Sequence, residues 1–496
     1  FIHIPAGFSK TLADPKITWQ FKSDPEPGIA DRSIVYAQGK TLGGSSAING
    51  MIYNRGQAAD FDGWAQAGNT GWSYDEVLPY FRRTENRIGE SVDPNYRGVD
   101  GRLTVTTTQW PNELETAFYD AAINAGYPHN DDYNGASQEG VGSYQSSISN
   151  GWRVSSASAF LKPARRQYKV EVRCNALAMS VILEDKRATG VSYRRGASES
   201  VVLAKREVIV SAGTLNSPKL LQLSGIGPAQ LLKEHGVEVV HDLPAVGENL
   251  RDHFSPRIVA RAKPGLQSIN QNASGLSLVG EVFRWLVKRP SVLAISPGRV
   301  HIFGKSSPQL ENPDFVLLFA PASYKAGMVG VLDDYPGFTV GTWQMRPQST
   351  GYVRIASADP MVNASFNPRY LSDPLDSTIL LSAMRAGRNL LTTEPLASLV
   401  EEEVLPGAQY KSDNDLMDFA RQYGATSFHL VGSCRMGQHS DGSNVVDPRL
   451  RVHGIQALRV IDASVMPTIP SANTAASTMM IGEKGADMII DDARKN

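Results

Sequence analysis

The chain has 496 residues, with 49 Lys and Arg against 50 Asp and Glu and a formal net charge of −1 at pH 7. This length exceeds what one hydrophobic core supports, so two or three lobes are expected. The balanced charge gives no argument for nucleic acid or for an anionic membrane, and no apolar stretch reaches the roughly 18 uncharged residues of a membrane span. The two cysteines, Cys174 and Cys434, are too few for a disulfide framework.

A glycine- and serine-rich segment, QGKTLGGSSAINGMIYNRG, occupies residues 38–56. Its Gly43-Gly44 pair permits positive φ and close backbone approach, and Ser45, Ser46 and Asn49 add short polar groups. A helix that begins here would present free N–H groups to an anion. A plain glycine turn before a helix explains the segment equally well.

The middle of the chain alternates between helical and extended patterns. Amphipathic helices are predicted over 74–85 and 112–125, and short β runs at 178–183, 190–193 and 201–203 predict a meander. The strand-like 208–210 then leads through Ser-Ala-Gly into a helical segment. This order resembles part of a doubly wound nucleotide-binding domain.

Near the C-terminus, three features suggest a functional site. Residues 458–461 read as a buried strand that ends in the carboxylate of Asp462. A helix is predicted over 474–490 with Asn473 near its N-cap, and His429 lies upstream in a Ser- and Gly-rich loop. These features alone do not say which site it is.

The motifs taken together resemble the glucose-methanol-choline (GMC) family of flavin-dependent oxidoreductases. The segments that carry the resemblance are, in chain order, GKTLGGSSAINGMIYNRG, GTLNSPKLLQLSGIG, DLPAVGENLRDH, HLVGSCRMG, and VIDASVMP followed by PSANTAASTMMIGEKGAD. They extend over essentially the whole chain. Within the family, the chain looks most similar to choline-dehydrogenase-like and alcohol-dehydrogenase-like members.

The resemblance implies a two-domain α/β fold with one FAD. The Rossmann-like FAD-binding domain would be discontinuous and comprise residues 1–60, 160–255 and 425–496. Residues 61–159 and 256–424 would form the substrate-binding domain, which carries a mostly antiparallel sheet.

The family's dinucleotide-binding motif does not occur in this sequence. Members open with a strand, G-x-G-x-x-G and a helix, whereas IHIPAGFSK at residues 2–10 resembles the segment just downstream. We therefore expect a βαβ unit of about 30 residues to precede this sequence in the intact protein. Without such a unit, a cofactor-free and non-catalytic homologue remains an alternative.

The resemblance assigns residues to the cofactor. Those near the pyrophosphate, ribityl chain or flavin ring would be Gly43, Gly44, Ser45, Ser46, Asn49, Gly50, Met51, Ile52, Asp462, Ala463, Thr474 and Ala475. Ala178 matches a position whose backbone meets the adenine. Some members bond the flavin covalently through a histidine at the position of Ile48. Because isoleucine has no nucleophile, non-covalent FAD is predicted.

His429 and Asn473 match the family's catalytic pair. Oxidation of an alcohol removes the hydroxyl proton and passes the carbinol hydride to flavin N5. A histidine near its ordinary pKa of about 6.5 suits the base in this reaction. Asn473 would hold the substrate oxygen, and the N–H groups at the start of the following helix would stabilise reduced flavin.

Arg299 and Phe428 are assigned to the substrate side. Several choline-type members carry a carboxylate near the position of Arg299, and an arginine there would repel a cation. This hypothesis favours a neutral or anionic primary alcohol over choline. An outward-pointing surface arginine explains Arg299 equally well.

Other activities and partners stay open at this stage. Hydroxynitrile lyases are family relatives without net redox chemistry, and light-driven fatty-acid decarboxylases appear to lack the equivalents of His429 and Asn473. The electron acceptor would be oxygen or a quinone- or dye-type compound. We expect a cytoplasmic protein without bound metal or nucleic acid, and the sequence predicts neither the alcohol nor the oligomeric state.

Overall fold

The computed structural model describes residues 1–89, 92–328, 330–438 and 443–495. The helices are α1 (Phe8–Thr11), α2 (Ala58–Gln66), α3 (Tyr74–Thr84), α4 (Glu113–Asn124), α5 (Lys162–Gln167), α6 (Gly213–Leu223), α7 (Ala229–Glu234), α8 (Ile269–Asn272), α9 (Gly275–Leu286), α10 (Pro374–Leu391), α11 (Asp413–Tyr423) and α12 (Ala475–Lys495).

Many of the strands are short. They are β1 (Thr18–Lys22), β2 (Val35–Gly39), β3 (Glu85–Ile88), β4 (Leu103–Thr107), β5 (Gly140–Ser143), β6 (Gln145–Ser146), β7 (Ile148–Ser149), β8 (Trp152–Arg153), β9 (Leu177–Glu184), β10 (Arg187–Arg195), β11 (Ser198–Leu203), β12 (Val208–Val210), β13 (Ile226–Gly227), β14 (His241–Asp242), β15 (Glu248–Leu250), β16 (Phe254–Ser255), β17 (Arg257–Ala262), β18 (Val300–Gly304), β19 (Phe315–Ala320), β20 (Gly337–Gln344), β21 (Gly351–Arg354), β22 (Ser365–Asn367), β23 (Val400–Leu405), β24 (Ala425–Thr426) and β25 (Leu458–Val460).

A six-stranded antiparallel sheet, in the order β23-β17-β20-β19-β18-β5, is the largest sheet of the described residues. Helices α4 and α10 pack on one face of it. The apolar side chains of that layer interlock, and the Phe118 ring of α4 stacks on Phe319 of β19 with centroids 4.4 Å apart. The opposite face of this sheet is therefore free to form the wall of a cavity.

A second core surrounds the parallel pair of β12 and β25. Val208 pairs with Leu458 and Val210 with Val460, and the side chains of all four are buried. Helix α6 begins at Gly213, soon after β12, whereas the short 3₁₀ helix Ala463–Val465 and a further segment separate β25 from α12. The carboxylate of Asp462, just after β25, accepts a hydrogen bond from the Gly213 N–H, so the chain leaves both strands at the same edge of the pair. This edge is the strand–helix boundary at which α/β folds bind their ligands.

The main sequence predictions of secondary structure are confirmed within a few residues. The helices predicted over 74–85 and 112–125 are α3 and α4, and the predicted meander is the antiparallel sheet of β9, β10 and β11. Ser73 and Glu76 close a reciprocal capping box at the start of α3, which fixes that boundary. The predicted α/β fold with a mostly antiparallel sheet is likewise observed, whereas the division into two domains stays a prediction.

The helix expected after the glycine pair is wrong. Gly43 and Gly44 have φ of +93° and +52°, and residues Gly44–Ala47 form one 3₁₀ turn before the chain extends again. The sequence INGMIYNRG that follows has Gly50, Asn54 and Gly56, which favour turns over a continued helix. The segment is therefore a tight loop, and no helix N-terminus forms an anion site there.

Candidate active site

A cavity of about 790 Å³ lies between the antiparallel sheet and the ends of β12 and β25. Its wall brings together residues far apart in the sequence: the loop that follows β2, the start of α6, the residues around His429, the turn after β25 and the start of α12. The substrate-side wall comes from β17, β19 and β20. All the motifs that carried the family resemblance except DLPAVGENLRDH contribute residues to this wall.

Two buried histidines stand at the centre of the site. His429 is 8% exposed and His253 is fully buried, and their Nδ1 atoms lie 2.9 Å apart. On the far side of His253, Nε2 lies 2.7 Å from the carbonyl oxygen of Met345. On the far side of His429, Nε2 lies 3.1 Å from Nδ2 of Asn473.

This chain of contacts determines the tautomers of the two rings. A carbonyl oxygen only accepts, so Nε2 of neutral His253 carries the hydrogen and its Nδ1 is an acceptor. Nδ1–H of His429 therefore donates to His253, and Nε2 of His429 keeps its lone pair. The amide of Asn473 donates towards that lone pair. The arrangement prepares Nε2 of His429 to accept a proton.

Burial keeps both rings neutral. It lowers the pKa of His429 well below 6.5, and the nearby His253 lowers it further. Burial also lowers the pKa of His253 to about 4, against a smaller opposing effect of the Met345 carbonyl. The expectation that His429 has a near-ordinary pKa is therefore wrong, because its ring is desolvated and its neighbour is a second imidazole.

Asp252 fixes the backbone that carries His429. Its carboxylate accepts hydrogen bonds from the His429 backbone N–H at 2.7 Å, from the Thr426 hydroxyl at 2.5 Å and from the Tyr370 hydroxyl. Burial raises the pKa of Asp252 to about 6, although these hydrogen bonds lower it. Phe428, between Thr426 and His429, has φ of +61°, so the loop is held in a conformation that phenylalanine adopts only at a cost.

The amide of Asn473 lies beside His429 on the cavity wall, and one of its two polar atoms has a partner. Its Nδ2 donates towards His429 Nε2, whereas its Oδ1 is buried and has no hydrogen-bond partner among the described residues. A buried amide oxygen without a partner is costly. A hydroxyl group bound at this point could donate to His429 Nε2 and accept from Asn473 Nδ2.

The predicted flavin loop is fixed by Arg153. Its Nη1 donates to the Asn49 carbonyl at 2.7 Å and to Asn49 Oδ1 at 2.8 Å, and its Nε donates to the Ile2 carbonyl. The Ser46 hydroxyl donates to the Gly43 carbonyl at 2.6 Å. All eight residues assigned to the cofactor in this loop line the cavity: Gly43, Gly44, Ser45, Ser46, Asn49, Gly50, Met51 and Ile52.

The turn after β25 and the start of α12 complete the opposite wall. Asp462 and Ala463 line the cavity, as do Asn473, Thr474 and Ala475. The Asp462 carboxylate already accepts from the Gly213 N–H at 2.8 Å and from the Ser217 hydroxyl at 2.5 Å. It therefore joins the end of β25 to the start of α6, and a cofactor would meet the backbone there more readily than this carboxylate.

Two of the sequence-based assignments do not lie at the cavity. Ala178 is an exposed residue of β9 and is not part of the wall. Arg299 is 4% exposed, and its guanidinium pairs with both carboxylate oxygens of Glu115 and with Thr108. The prediction that Arg299 contacts the substrate is wrong, because an ion pair behind the sheet occupies its donors.

A different arginine faces the substrate side. Arg257, on β17, lines the cavity together with Tyr324 and with Trp343 of β20. The ring centroids of Trp343 and His429 lie 6.1 Å apart. The guanidinium carbon of Arg257 lies 6.0 Å from the centroid of the Tyr324 ring. Among the described residues, the acidic residues of the cavity wall are Asp462 and Glu483. Neither belongs to the antiparallel sheet, so the sheet contributes no carboxylate to the wall.

Sequence reasoning missed His253, Asp252 and Arg257. The first two end the motif DLPAVGENLRDH, which carried the family resemblance, but no role was assigned to them. Adjacent Asp and His at the end of a glycine-containing loop were the available signal. Nothing in the sequence distinguishes Arg257 from the other arginines, because its role depends on which face of β17 meets the cavity.

Comparison with known proteins agrees with this geometry. The N-terminal GMC oxidoreductase family domain matches residues 11–255, and the C-terminal domain of the same family matches residues 347–482. The chain belongs to the GMC oxidoreductase family. It is accordingly an FAD-dependent oxidoreductase that acts on CH–OH groups.

Curated relatives of this GMC oxidoreductase align along nearly its whole length. The oxygen-dependent choline dehydrogenase of Brucella suis is 38% identical over 490 residues, which cover 99% of this chain and 88% of that protein. The alcohol dehydrogenase (acceptor) of Pseudomonas putida is 37% identical over 494 residues, with the same coverage of both chains.

Solved structures show the same fold. Pyridoxine 4-oxidase from Mesorbium loti superimposes with a TM-score of 0.88 at 26% identity and covers 99% of this chain and 91% of its own. A variant of the formate oxidase of Aspergillus oryzae gives a TM-score of 0.89 at 27% identity and covers 100% of this chain and 91% of its own.

The cavity fits the flavin part of FAD. A Cβ added to Gly44 would meet no atom within 4 Å, so this glycine opens directly onto the cavity and leaves room for a ligand against the backbone. Asn473, whose Oδ1 is buried without a partner among the described residues, lines the same cavity. The loop 43–52 and the start of α12 would hold the group. FAD would supply the acceptor for a hydride removed from the alcohol carbon.

Proposed function

We propose that this GMC oxidoreductase oxidises a neutral or anionic primary alcohol to the aldehyde, with His429 as the base and non-covalent FAD. The observation that carries the proposal is the position of the His429 Nε2 lone pair 3.1 Å from the Nδ2 donor of Asn473, in two residues that both line the cavity. His429 Nε2 can accept the hydrogen of a substrate hydroxyl, and Asn473 Nδ2 can donate to its oxygen.

In this proposal the chain's own residues move the proton. Asn473 Nδ2–H donates to the substrate oxygen and orients it, and His429 Nε2 takes the hydroxyl proton. The resulting imidazolium is stabilised by Nδ1–H donation to His253, whose other nitrogen donates to the Met345 carbonyl. Thr474 and Ala475 at the start of α12 line the cavity, and the N–H groups of a helix start favour a negative charge that develops nearby.

The proposed charge preference rests on Arg257 rather than Arg299. A quaternary ammonium group near Arg257 would meet an uncompensated positive charge, because no ion pair recorded within the described residues involves this arginine. Choline, after which the Brucella relative is named, is the second candidate substrate, since the two sequences are 38% identical. Trp343 and Tyr324 offer aromatic faces that suit a cation as well as an apolar chain.

The first test is reduction of the bound flavin by an alcohol without oxygen. Loss of the visible flavin band on addition of a primary alcohol is expected, and His429→Gln should slow that reduction by about 100-fold to 10,000-fold. A flavin that stays oxidised with every alcohol would overturn the proposal and leave a lyase or a non-catalytic homologue. Acid precipitation should release the flavin into the supernatant, because Ile48 offers no atom for a covalent bond.

The substrate charge is tested with a matched pair of alcohols. Choline and 3,3-dimethylbutan-1-ol have the same shape, and only choline carries a charge. The neutral alcohol should have the higher kcat/KM, and Arg257→Met should raise kcat/KM for choline more than for the neutral compound. A higher kcat/KM for choline in the unmodified enzyme would contradict the proposed preference. Oxygen and a quinone-type dye should be compared as acceptors in parallel.

A further inference from the structure

Helix α9 carries an apolar face that is largely exposed in the described part of the chain. Leu276 is 91% exposed, and Val279, Phe283 and Leu286 are each 64–66% exposed. They recur at intervals of three and four residues, which places them along one side of the helix. Single exposed apolar residues are common, but a row of four large ones marks an interaction surface.

The other side of α9 is firmly attached to the protein. Glu281 is 4% exposed and accepts a hydrogen bond from the Val292 N–H at 2.9 Å, and Trp285 donates from Nε1 to the Gly151 carbonyl at 2.9 Å. The exposed row is thus a defined face of a fixed helix. It is not the product of a helix that has swung away from its packing site.

Both ends of α9 join segments that form the cavity. Before the helix, Asn270 donates to the Ser323 carbonyl, and the next residue, Tyr324, lines the cavity. After the helix, Val292–Ala294 packs against Pro5–Gly7, and Phe8 lines the cavity. The apolar face therefore lies in the connection between two parts of the cavity wall.

The exposed charged residues of the segment that contains α9 are all basic. Between residues 263 and 290 they are Lys263, Arg284, Lys288 and Arg289, and the one acidic residue, Glu281, is buried. Glu281 pairs with Arg284 at 3.4 Å, so Lys288 and Arg289 contribute the positive charge at the end of the helix that no recorded ion pair offsets among the described residues. Arg284 follows Phe283 on the flank of the helix, and Lys288 and Arg289 follow its last turn. A helix with one apolar face and basic flanks is the arrangement that binds in the plane of an anionic lipid surface.

The size of the face argues against a second copy of the chain. Twelve residues at 1.5 Å each make a helix about 18 Å long and about 10 Å wide, or roughly 200 Å². A stable protein interface needs about 800 Å² on each partner. Lipid requires no complementary protein shape, and the partly exposed Trp152, whose ring lies 4.4 Å from that of Trp285, adds an aromatic group of the kind enriched at lipid–water interfaces.

We propose that the apolar face of α9, with its basic flanks, docks this enzyme onto the surface of an anionic lipid membrane. The described chain has no helix long and apolar enough to cross one. The docking is peripheral. It brings α9, which connects two segments near the cavity wall, into contact with the lipid surface. This corrects the sequence-based view that charge gives no argument for an anionic membrane, because the basic residues adjoin the apolar face only in the folded helix.

The test is sedimentation of the FAD-loaded enzyme with lipid vesicles. It should bind vesicles of phosphatidylcholine mixed with phosphatidylglycerol, and bind vesicles of phosphatidylcholine alone more weakly. Phe283→Ser with Leu286→Ser should weaken binding by about tenfold or more. The matched control, Val201→Ser with Leu203→Ser, removes two exposed apolar side chains from β11 and should bind like the unmodified enzyme.

A charge pair separates the two contributions. Lys288→Glu with Arg289→Glu should lower binding to the anionic vesicles, whereas the matched change of Lys205 and Arg206, an exposed basic pair after β11, should not. Equal binding to both vesicle types would overturn the anionic preference. If the unmodified enzyme did not bind the vesicles, or if the Phe283 and Leu286 variant bound as well as the unmodified enzyme, the proposed docking surface would be wrong. It would also be wrong if the unmodified enzyme were a dimer that these two substitutions convert to a monomer. Alcohol oxidation by all these variants in solution should match that of the unmodified enzyme, which shows that they fold.

Discussion

The Nδ1 atoms of His429 and His253 face each other at 2.9 Å, so one ring must donate to the other. The Met345 carbonyl determines which ring is the donor, because its oxygen accepts a hydrogen bond from His253 Nε2–H at 2.7 Å. The tautomer of the proposed base is therefore set by a second histidine that does not line the cavity. His253 is a positioning residue in this arrangement.

Replacement of His253 should separate its acceptor role from its bulk. His253→Leu removes the acceptor for His429 Nδ1–H, and we expect roughly a tenfold or larger fall in kcat with little change in KM. His253→Asn places an amide oxygen near the position of Nδ1 and should recover part of the rate. Equal rates in the two variants would show that His253 only fills space. The measurement is anaerobic flavin reduction at saturating alcohol.

The pH dependence of alcohol oxidation should show an acid limb below pH 6.5. A base works when deprotonated, and burial lowers the pKa of His429 well below that value, so the ring stays free to accept a proton as the pH falls. Asp252, with a pKa of about 6, would then be the first of these groups to change its charge. A limb near pH 6 that disappears in Asp252→Asn would identify it. A limb at or above pH 7 in kcat/KM would contradict the lowered pKa of His429.

The sequence predicted the residues that line the cavity better than those behind them. Local glycines and a strand–Asp–helix pattern located the loop 43–52, Asp462 and the start of α12, because these features depend on short segments of backbone. Two of the failed predictions concern Arg299 and the pKa of His429. Both depend on neighbours distant in sequence, namely Glu115 and His253, which only the folded chain brings close.

The helix expected after Gly44 failed for a local reason. Its first turn forms, but the segment up to Gly56 contains residues that favour turns, and the Asn49 side chain bonds to the Met51 N–H at 3.1 Å in place of a helical partner. Arg153 then fixes the extended backbone from a part of the chain about 100 residues away. Periodicity alone could not show either interaction.

Arg299 should prove structural when it is replaced. Its side chain is 4% exposed, and that of its partner Glu115 is 16% exposed. Arg299→Met leaves a largely buried carboxylate without its partner, and the free energy of unfolding should fall by about 3 kcal/mol. Because Arg299 does not line the cavity, kcat/KM for the neutral alcohol should change little. Adding Glu115→Leu should restore part of the lost stability.

Arg299→Met should leave the ratio of kcat/KM for choline and 3,3-dimethylbutan-1-ol unchanged. A change in this ratio would show that Arg299 acts at the substrate site. Arg257→Met is the comparison, because Arg257 lines the cavity and has no recorded ion-pair partner among the described residues. The two single variants remove the same charge from positions on either side of the sheet wall. Only the one at the cavity should alter the preference between the alcohols.

His301 should make the enzyme less stable in acid. Its ring is fully buried between Tyr133 and Tyr144, and burial lowers its pKa to about 3 against a smaller opposing effect of the Gly140 carbonyl. Because this folded-state pKa lies below the unfolded value of 6.5, the ring stabilises the fold above pH 6.5, and that contribution is lost as the pH falls towards 3. Between about pH 7 and pH 5 the free energy of unfolding should fall by about 2 kcal/mol because of this ring.

His301→Phe removes the titrating group and keeps an aromatic ring. The free energy of unfolding of this variant, measured by urea denaturation, should therefore fall less over the same pH range. Parallel pH dependence in the two proteins would mean that the His301 ring is already protonated, or solvated, in the folded enzyme.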